Sequence, residues 1–135
     1  MLRNIQIHVV LSLLLSIGLL QGCATEKQRL MLEDTLNLYA SAIRWGDFQG
    51  ATQFFSDPLL YQQVKFEKLK GIKVSAYDVK GVQLLNDGNE LRQTVEIRYY
   101  DTAVGSEHQF LDHQIWIYDT GKERWLLSSK MPEFN

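Results

Sequence analysis

The sequence has little of several features that define common classes of protein. Its 135 residues include one cysteine, Cys23, so the chain can form no internal disulfide and has no thiolate cluster for a metal. The 14 basic residues do not outnumber the 16 acidic ones, which argues against a nucleic-acid partner because such a partner favours a basic face. With only two prolines and 11% aromatic residues, the composition also argues against a disordered chain.

No apolar run is long enough for a permanent membrane span. The uncharged stretch 9–20 follows Arg3 and contains 12 residues. A spanning helix needs about 20 apolar residues, whereas the core of an export signal needs about 7–15. We therefore interpret residues 1–22 as a signal peptide.

This stretch ends in Leu20-Gln21-Gly22-Cys23. The tetrapeptide resembles the bacterial lipobox, which has an aliphatic residue three before the cysteine and a small residue just before it; Gln21 is a less common choice. The resemblance implies that the Cys23 thiol is alkylated with a diacylglycerol, that the chain is cut before Cys23, and that the new amine is acylated, with palmitate among the acyl chains. Two or three acyl chains would hold the protein firmly on a membrane.

The next residue predicts which membrane carries the protein. Position 24 is Ala24 rather than Asp, and in the enterobacterial sorting rule an aspartate there retains a lipoprotein in the inner membrane. The resemblance therefore implies an outer-membrane lipoprotein of the cell envelope that faces the periplasm. Removal of the first 22 of 135 residues leaves 113, so we expect 23–135 to form one domain.

The mature chain begins with helical patterns. Apolar residues recur at steps of three and four in the stretch 26–45, on the stripe Leu32, Leu36, Tyr39 and Ile43. Gly46 is a natural helix end, and Asp47 can cap a second helix from Phe48 to about Phe55. A short third helix follows Asp57-Pro58.

Beyond Gly71 the period becomes two, which predicts strands at 72–85, 91–101, 108–119 and 124–130. The alternation slips near 78–80, which indicates a bulge. The expected fold class is α+β, with the N-terminal helices packed on a bent four-strand antiparallel meander. We assign to the core the residues Leu91, Val95, Ile97 and Tyr99 and the row Leu111, His113, Ile115 and Ile117.

The expected elements are a long helix, the corner Trp45-Gly46-Asp47-Phe48 into a second helix, and a bent meander that ends in a Trp-containing strand. This order of elements resembles that of the nuclear transport factor 2-like group of cone-shaped domains. The resemblance covers residues 26–131 and is one of layout. This group includes isomerases, cyclases, small-ligand carriers and interaction modules, so membership leaves the activity open.

Two sets of polar residues allow an alternative, catalytic interpretation. His113 and Tyr99 could line the cone's cavity as an acid or base with a polar partner, in a ketosteroid-isomerase-like enzyme or a carrier of a small apolar ligand. Asp57-Pro58 resembles the Asp-Pro pair after which isomerases of the group place a base, and Asp57 is the third residue of this catalytic alternative, although a helix cap is its more ordinary function. His108 and His113 are five apart on a strand and so point to opposite faces; we expect no metal and no cofactor.

The opposite sheet face suggests a partner instead. We expect Arg98, Tyr100, Trp116 and Tyr118 to project into solvent, and aromatic residues beside arginine are enriched at interface centres. The favoured function is a lipid-anchored, non-catalytic protein-interaction module that binds another envelope protein. The alternative is the small-ligand carrier or enzyme.

Overall fold

The computed structural model describes residues 25–135. By internal contacts, residues 35–135 form one compact unit and 25–34 belong to another. Residues 25–34 are helical, and the exposed Arg29 forms ion pairs with Glu26 and Glu33, which lie within one turn of it. The sheet and all sites described here lie within 35–135.

Helices occupy the first part of the described chain. Helix α1 covers 25–44. It is followed by α2 (Phe48–Ala51) with a 3-10 turn at Thr52–Phe54, by α3 (Pro58–Gln62) and by α4 (Phe66–Leu69). The sequence pattern predicted all of these except α4, whose four residues are too few to show a helical period.

The ends of these helices depend on the residues expected there. Gly46 has a φ of 72°, a left-handed conformation that glycine adopts without strain and that ends α1. Asp47 caps α2 by accepting a hydrogen bond from the Gly50 amide at 2.8 Å. Asp57 likewise caps α3 by accepting from the Leu59 amide at 2.8 Å, with Pro58 in the first helical position.

The four strands form an antiparallel meander in the order β1-β2-β3-β4, and the α+β prediction is confirmed. The strands are β1 (Ile72–Leu85), β2 (Glu90–Asp101), β3 (Ser106–Asp119) and β4 (Arg124–Leu127). The β1–β2 register shifts between Val74 and Ala76 and again between Val79 and Gly81. The second shift confirms the predicted bulge.

The two faces of the sheet differ in burial. The inner face contains the buried residues of β2, which are Leu91, Gln93, Val95, Ile97 and Tyr99. Residues directly opposite in the β2–β3 register share a face, so the inner face of β3 contains Asp112, Gln114 and Trp116. The outer face contains the alternate residues of both strands.

The expected orientation of β3 is therefore wrong. Leu111 and Ile117 were assigned to the core, but their side chains are 52% and 41% exposed. Trp116 was assigned to the surface, but it is fully buried. The orientation expected for β2 is confirmed.

Aromatic rings fill the space between the helices and the inner face. The Tyr39 ring of α1 meets Trp116 edge-on at 5.1 Å between centroids, and Phe54 lies 6.2 Å from Trp116. In a second group the Phe134 ring lies 5.3 Å from Phe48 and 5.0 Å from Tyr99. The segment 130–135 is thereby fixed to the core.

Candidate functional site

A connected set of polar side chains lies buried on the inner face. Its centre is Gln114 of β3, which is 1% exposed. The Gln114 Oε1 accepts hydrogen bonds from Gln93 Nε2 at 2.7 Å and from Trp116 Nε1 at 3.1 Å. The Gln114 Nε2 donates to the Tyr77 hydroxyl at 2.9 Å and to Asp112 Oδ2 at 2.7 Å. Because both amide protons and both oxygen lone pairs of Gln114 are used, this side chain is fully satisfied.

Burial shifts the pKa values of the ionisable members of this cluster upward, in favour of their neutral forms. Burial raises the pKa of Asp112 to about 6, against smaller lowering effects of the Gln114 hydrogen bond and the His113 charge. Burial also raises the pKa of Tyr77 and Tyr39. Asp112 can therefore exchange a proton close to neutral pH, while the two tyrosines keep theirs.

Tyr39 completes the cluster from α1. Among the residues that the structure describes, its hydroxyl is the buried side-chain polar atom without a hydrogen-bond partner. A buried unpaired hydroxyl usually costs about 1–3 kcal/mol. The inner face thus offers one free donor beside an acid of near-neutral pKa.

The residues of the catalytic alternative are not brought together. His113 lies exposed on the outer face, where its Nδ1 is 3.1 Å from Thr94 Oγ1. Tyr99 is buried on the inner face, and its hydroxyl is engaged by the backbone of Asn135. Asp57 is a helix cap. The expectation that His113 and Tyr99 share one cavity is wrong. Odd positions of β2 pair with even positions of β3, so Tyr99 lies on the inner face and His113 on the outer face.

The expected partner-binding row is divided in the same way. Arg98 and Tyr100 lie on the outer face as expected, and Tyr100 is 42% exposed. Trp116 is core, and Tyr118 shares the inner face with it. Trp116 and Tyr118 face inward because β3 presents its even-numbered residues, not its odd-numbered ones, to the core.

The outer face instead presents an aliphatic row along β3, which we call the outer row: Leu111, His113, Ile115 and Ile117. Leu111 and Ile117 are about half-exposed, and Ile115 is partly buried. On β2 beside the row lie charged residues that form ion pairs: Glu96 with Lys80 of β1 at 3.3 Å, and Arg92 with Glu90 at 2.7 Å.

Trp45 is an exposed residue that the sequence analysis did not assign to a site. Its side chain is 85% exposed at the end of α1, and Leu38, seven residues earlier on the same helix, is 62% exposed. The helical period could have found it, because each residue turns about 100° and Trp45 therefore lies roughly opposite the buried Ile43.

A cavity of about 400 Å³ lies away from the polar cluster, between α3, α4 and the segment 130–135. Its walls include the apolar side chains of Leu60, Val64, Leu69, Met131 and Phe134. No sequence pattern indicated this cavity, because α4 was not predicted and the last residues carry no periodic pattern.

Cys23, the residue predicted to carry the lipid, lies outside the described residues. Within 25–135 no helix is long and apolar enough to cross a membrane, and no group of three or more His, Cys, Asp or Glu side chains converges as metal ligands would.

Comparison with known proteins adds no relative. No protein family, no curated protein and no solved structure matches the chain. The geometry of the described residues and the N-terminal sequence pattern therefore carry the functional argument.

Proposed function

We propose that the protein is a lipid-anchored, periplasm-facing module of the outer membrane that binds another envelope protein without catalysing a reaction. Acyl chains on Cys23 would hold it on the membrane, and a nuclear transport factor 2-like domain would present the binding surface. Helices packed against one face of a bulged four-strand meander support the fold assignment.

The observation that carries the binding proposal is the outer row on an accessible sheet face. Leu111 and Ile117 keep about half of their side-chain surface in water. Complete burial of such a side chain contributes about 1.5–3 kcal/mol. A partner that covered the row would therefore gain apolar contact there, and Arg98 and Tyr100 on the same face would supply polar and aromatic contacts.

The arrangement of polar groups favours binding over catalysis. A general base needs a reacting partner within hydrogen-bond distance. His113 and Tyr99 lie on opposite faces, and Asp57 is occupied as a cap. None of these three side chains faces another across a shared cavity.

The anchor can be tested on its own. Cells grown with labelled palmitate should give labelled protein from the native sequence and none from Cys23→Ala, because lipid attachment requires the thiol. Label on the Cys23→Ala protein would rule out this anchor.

The binding surface is tested by crosslinking intact cells and purifying the protein. Leu111→Asp places a charge in the outer row, and should weaken partner capture by about 2 kcal/mol, as at an interface hot spot. Gln53→Asp is the matched control, because Gln53 is exposed and lies outside the sheet. Equal capture by both variants would remove the outer row from the interface.

The inner-face cluster supports a second candidate, a carrier of a small apolar ligand with one polar group. The unpaired Tyr39 hydroxyl and the Asp112 carboxyl, whose pKa is raised to about 6, could bind that group. Tyr39→Phe removes only the hydroxyl, so it should leave partner capture unchanged but weaken binding of such a ligand.

A further inference from the structure

The cavity beside α3 and α4 combines apolar walls with a cationic rim. Three lysines belong to its lining, Lys65, Lys68 and Lys130, against one acidic side chain, Glu133. Lys130 and Glu133 lie 3.9 Å apart, so they partly neutralise each other. Lys65 and Lys68 have no ion-pair partner within residues 25–135.

The neighbouring acid does not neutralise the rim either. Glu67 lies between the two lysines in sequence, but its carboxylate pairs with Lys70 at 2.7 Å and does not line the cavity. The rim therefore carries an excess of positive charge. An anion entering the cavity would meet the ammonium groups of Lys65 and Lys68, while the carboxylate of Glu133 lies beside Lys130.

One wall of the cavity is held in place by the core. Met131 and Phe134 are at most 9% exposed, and the Phe134 ring packs against Tyr99 and Phe110. The backbone of Asn135 donates to the Tyr99 hydroxyl at 3.1 Å. A preformed wall of this kind reduces the entropy lost when a ligand binds.

From these observations we infer that the cavity binds a single-chain amphiphilic anion. Its acyl chain would lie against Leu60, Val64, Leu69 and Met131, and its carboxylate or phosphate would lie at Lys65 and Lys68. The volume of about 400 Å³ falls within the roughly 300–1,000 Å³ of small-ligand sites. A lysine ammonium is a flexible point charge, so it can pair with a carboxylate or with a phosphate.

This site is separate from both parts of the proposed function. It lies neither on the outer row nor at the Tyr39 and Asp112 cluster, and none of its lining residues belongs to those sites. A negative result for amphiphile binding would not bear on the proposed partner surface, and a negative result for partner capture would not bear on the cavity.

The test uses the full-length chain in membranes from cells that express it. The probe is a palmitic acid analogue with a diazirine in its acyl chain, activated by light and mapped by peptide mass spectrometry. We expect label in the peptides that contain residues 60–69 or 130–135. Label confined to other peptides would overturn the proposal.

Variants test the cationic rim. The double variant Lys65→Ala, Lys68→Ala should reduce this labelling about tenfold, because two charge-assisted contacts are lost. Lys65→Arg with Lys68→Arg should retain it. Lys122→Ala, at an exposed turn outside the cavity, is the control and should label as the native chain does. Equal labelling of the alanine double variant and the control would contradict the inferred headgroup site.

Competitors identify the headgroup and its source. Competition by palmitate indicates a free fatty acid, and competition by 1-palmitoyl lysophosphatidate indicates a lipid with a phosphate headgroup; either result supports the proposal. Equal competition by neutral monopalmitoylglycerol would overturn it, because an uncharged headgroup gains nothing from the lysines.

Discussion

Trp116 is the residue around which the inner face is packed. Its ring is fully buried, contacts Tyr39 and Phe54, and donates its indole proton to Gln114. Removing this ring would leave a large void and would remove one of the two hydrogen bonds that Gln114 Oε1 accepts. Such a void is too large for the surrounding rings to fill without distortion.

We expect Trp116→Ala to lower the free energy of unfolding by about 3–5 kcal/mol, the usual range for removing a large aromatic side chain from a core. Urea denaturation of the two proteins measures the difference. The control is Tyr100→Ala on the outer face, which should change stability by no more than about 0.5 kcal/mol. If the two variants lost equal stability, the inner and outer faces would be misassigned.

Asp112 makes stability depend on pH in an unusual direction for a carboxyl group. Burial raises its pKa in the folded protein from the ordinary 3.8 to about 6, so the folded state holds the proton more tightly than the unfolded state. The contribution of protonated Asp112 is present below pH 4 and is lost as the pH rises to about 6. The full shift corresponds to about 3 kcal/mol at most.

Asp112→Asn removes this titration and keeps an oxygen to accept from Gln114. The native protein should lose up to about 3 kcal/mol of stability from Asp112 between pH 4 and pH 7, and the variant should not. The unfolding free energy of the variant minus that of the native protein should therefore be up to about 3 kcal/mol higher at pH 7 than at pH 4. Urea midpoints of both proteins between pH 4 and pH 8 give the difference. A difference that does not change with pH would mean that Asp112 is not desolvated.

At the scale of elements, caps and turns were the most predictable features. Gly46, Asp47 and Asp57 act through their own backbone neighbours, so the local sequence is sufficient to place them. The bulge in β1 was visible for a similar reason, because an added residue interrupts a local alternation.

The cap at Asp57 also separates a structural function from a catalytic one. Asp57→Ala should cost about 1 kcal/mol of stability, because the Leu59 amide loses its acceptor, and Asp57→Asn should lose only a few tenths since asparagine caps equally well. Thermal or urea unfolding measures both. If Asp57→Asn lost as much stability as Asp57→Ala, the negative charge of Asp57 rather than its capping hydrogen bond would be the stabilising feature.

The orientation of β3 could not be read from its own alternation. Both of its rows contain large apolar residues, Leu111, Ile115 and Ile117 on one side and Phe110, Trp116 and Tyr118 on the other. The partner strand decides between them: Asp101 pairs with Ser106, so odd positions of β2 face even positions of β3. The register of this hairpin, rather than hydrophobicity, was the missing information.

At the scale of the whole molecule, the α+β class and the strand order followed from the change of period at Gly71. The polar cluster did not follow, because Gln93 of β2 and Gln114 of β3 become partners only when the two strands pair. The cavity at α3 and α4 depends on residues about 65 positions apart and was equally invisible to local patterns.

The central claim is that the outer face of the sheet binds a partner in the envelope. The most direct measurement places a photo-crosslinking amino acid at single positions in intact cells. Leu111 and Ile117 represent the outer row, Leu84 is exposed on the inner face of β1, and Trp45 is exposed at the end of α1.

If the outer face binds the partner, Leu111 and Ile117 should give the same crosslinked species, of one discrete mass, and Leu84 should give none. A crosslink from Leu84 as strong as those from the outer row, or crosslinks from Trp45 alone, would contradict the assignment of the interface to the outer face.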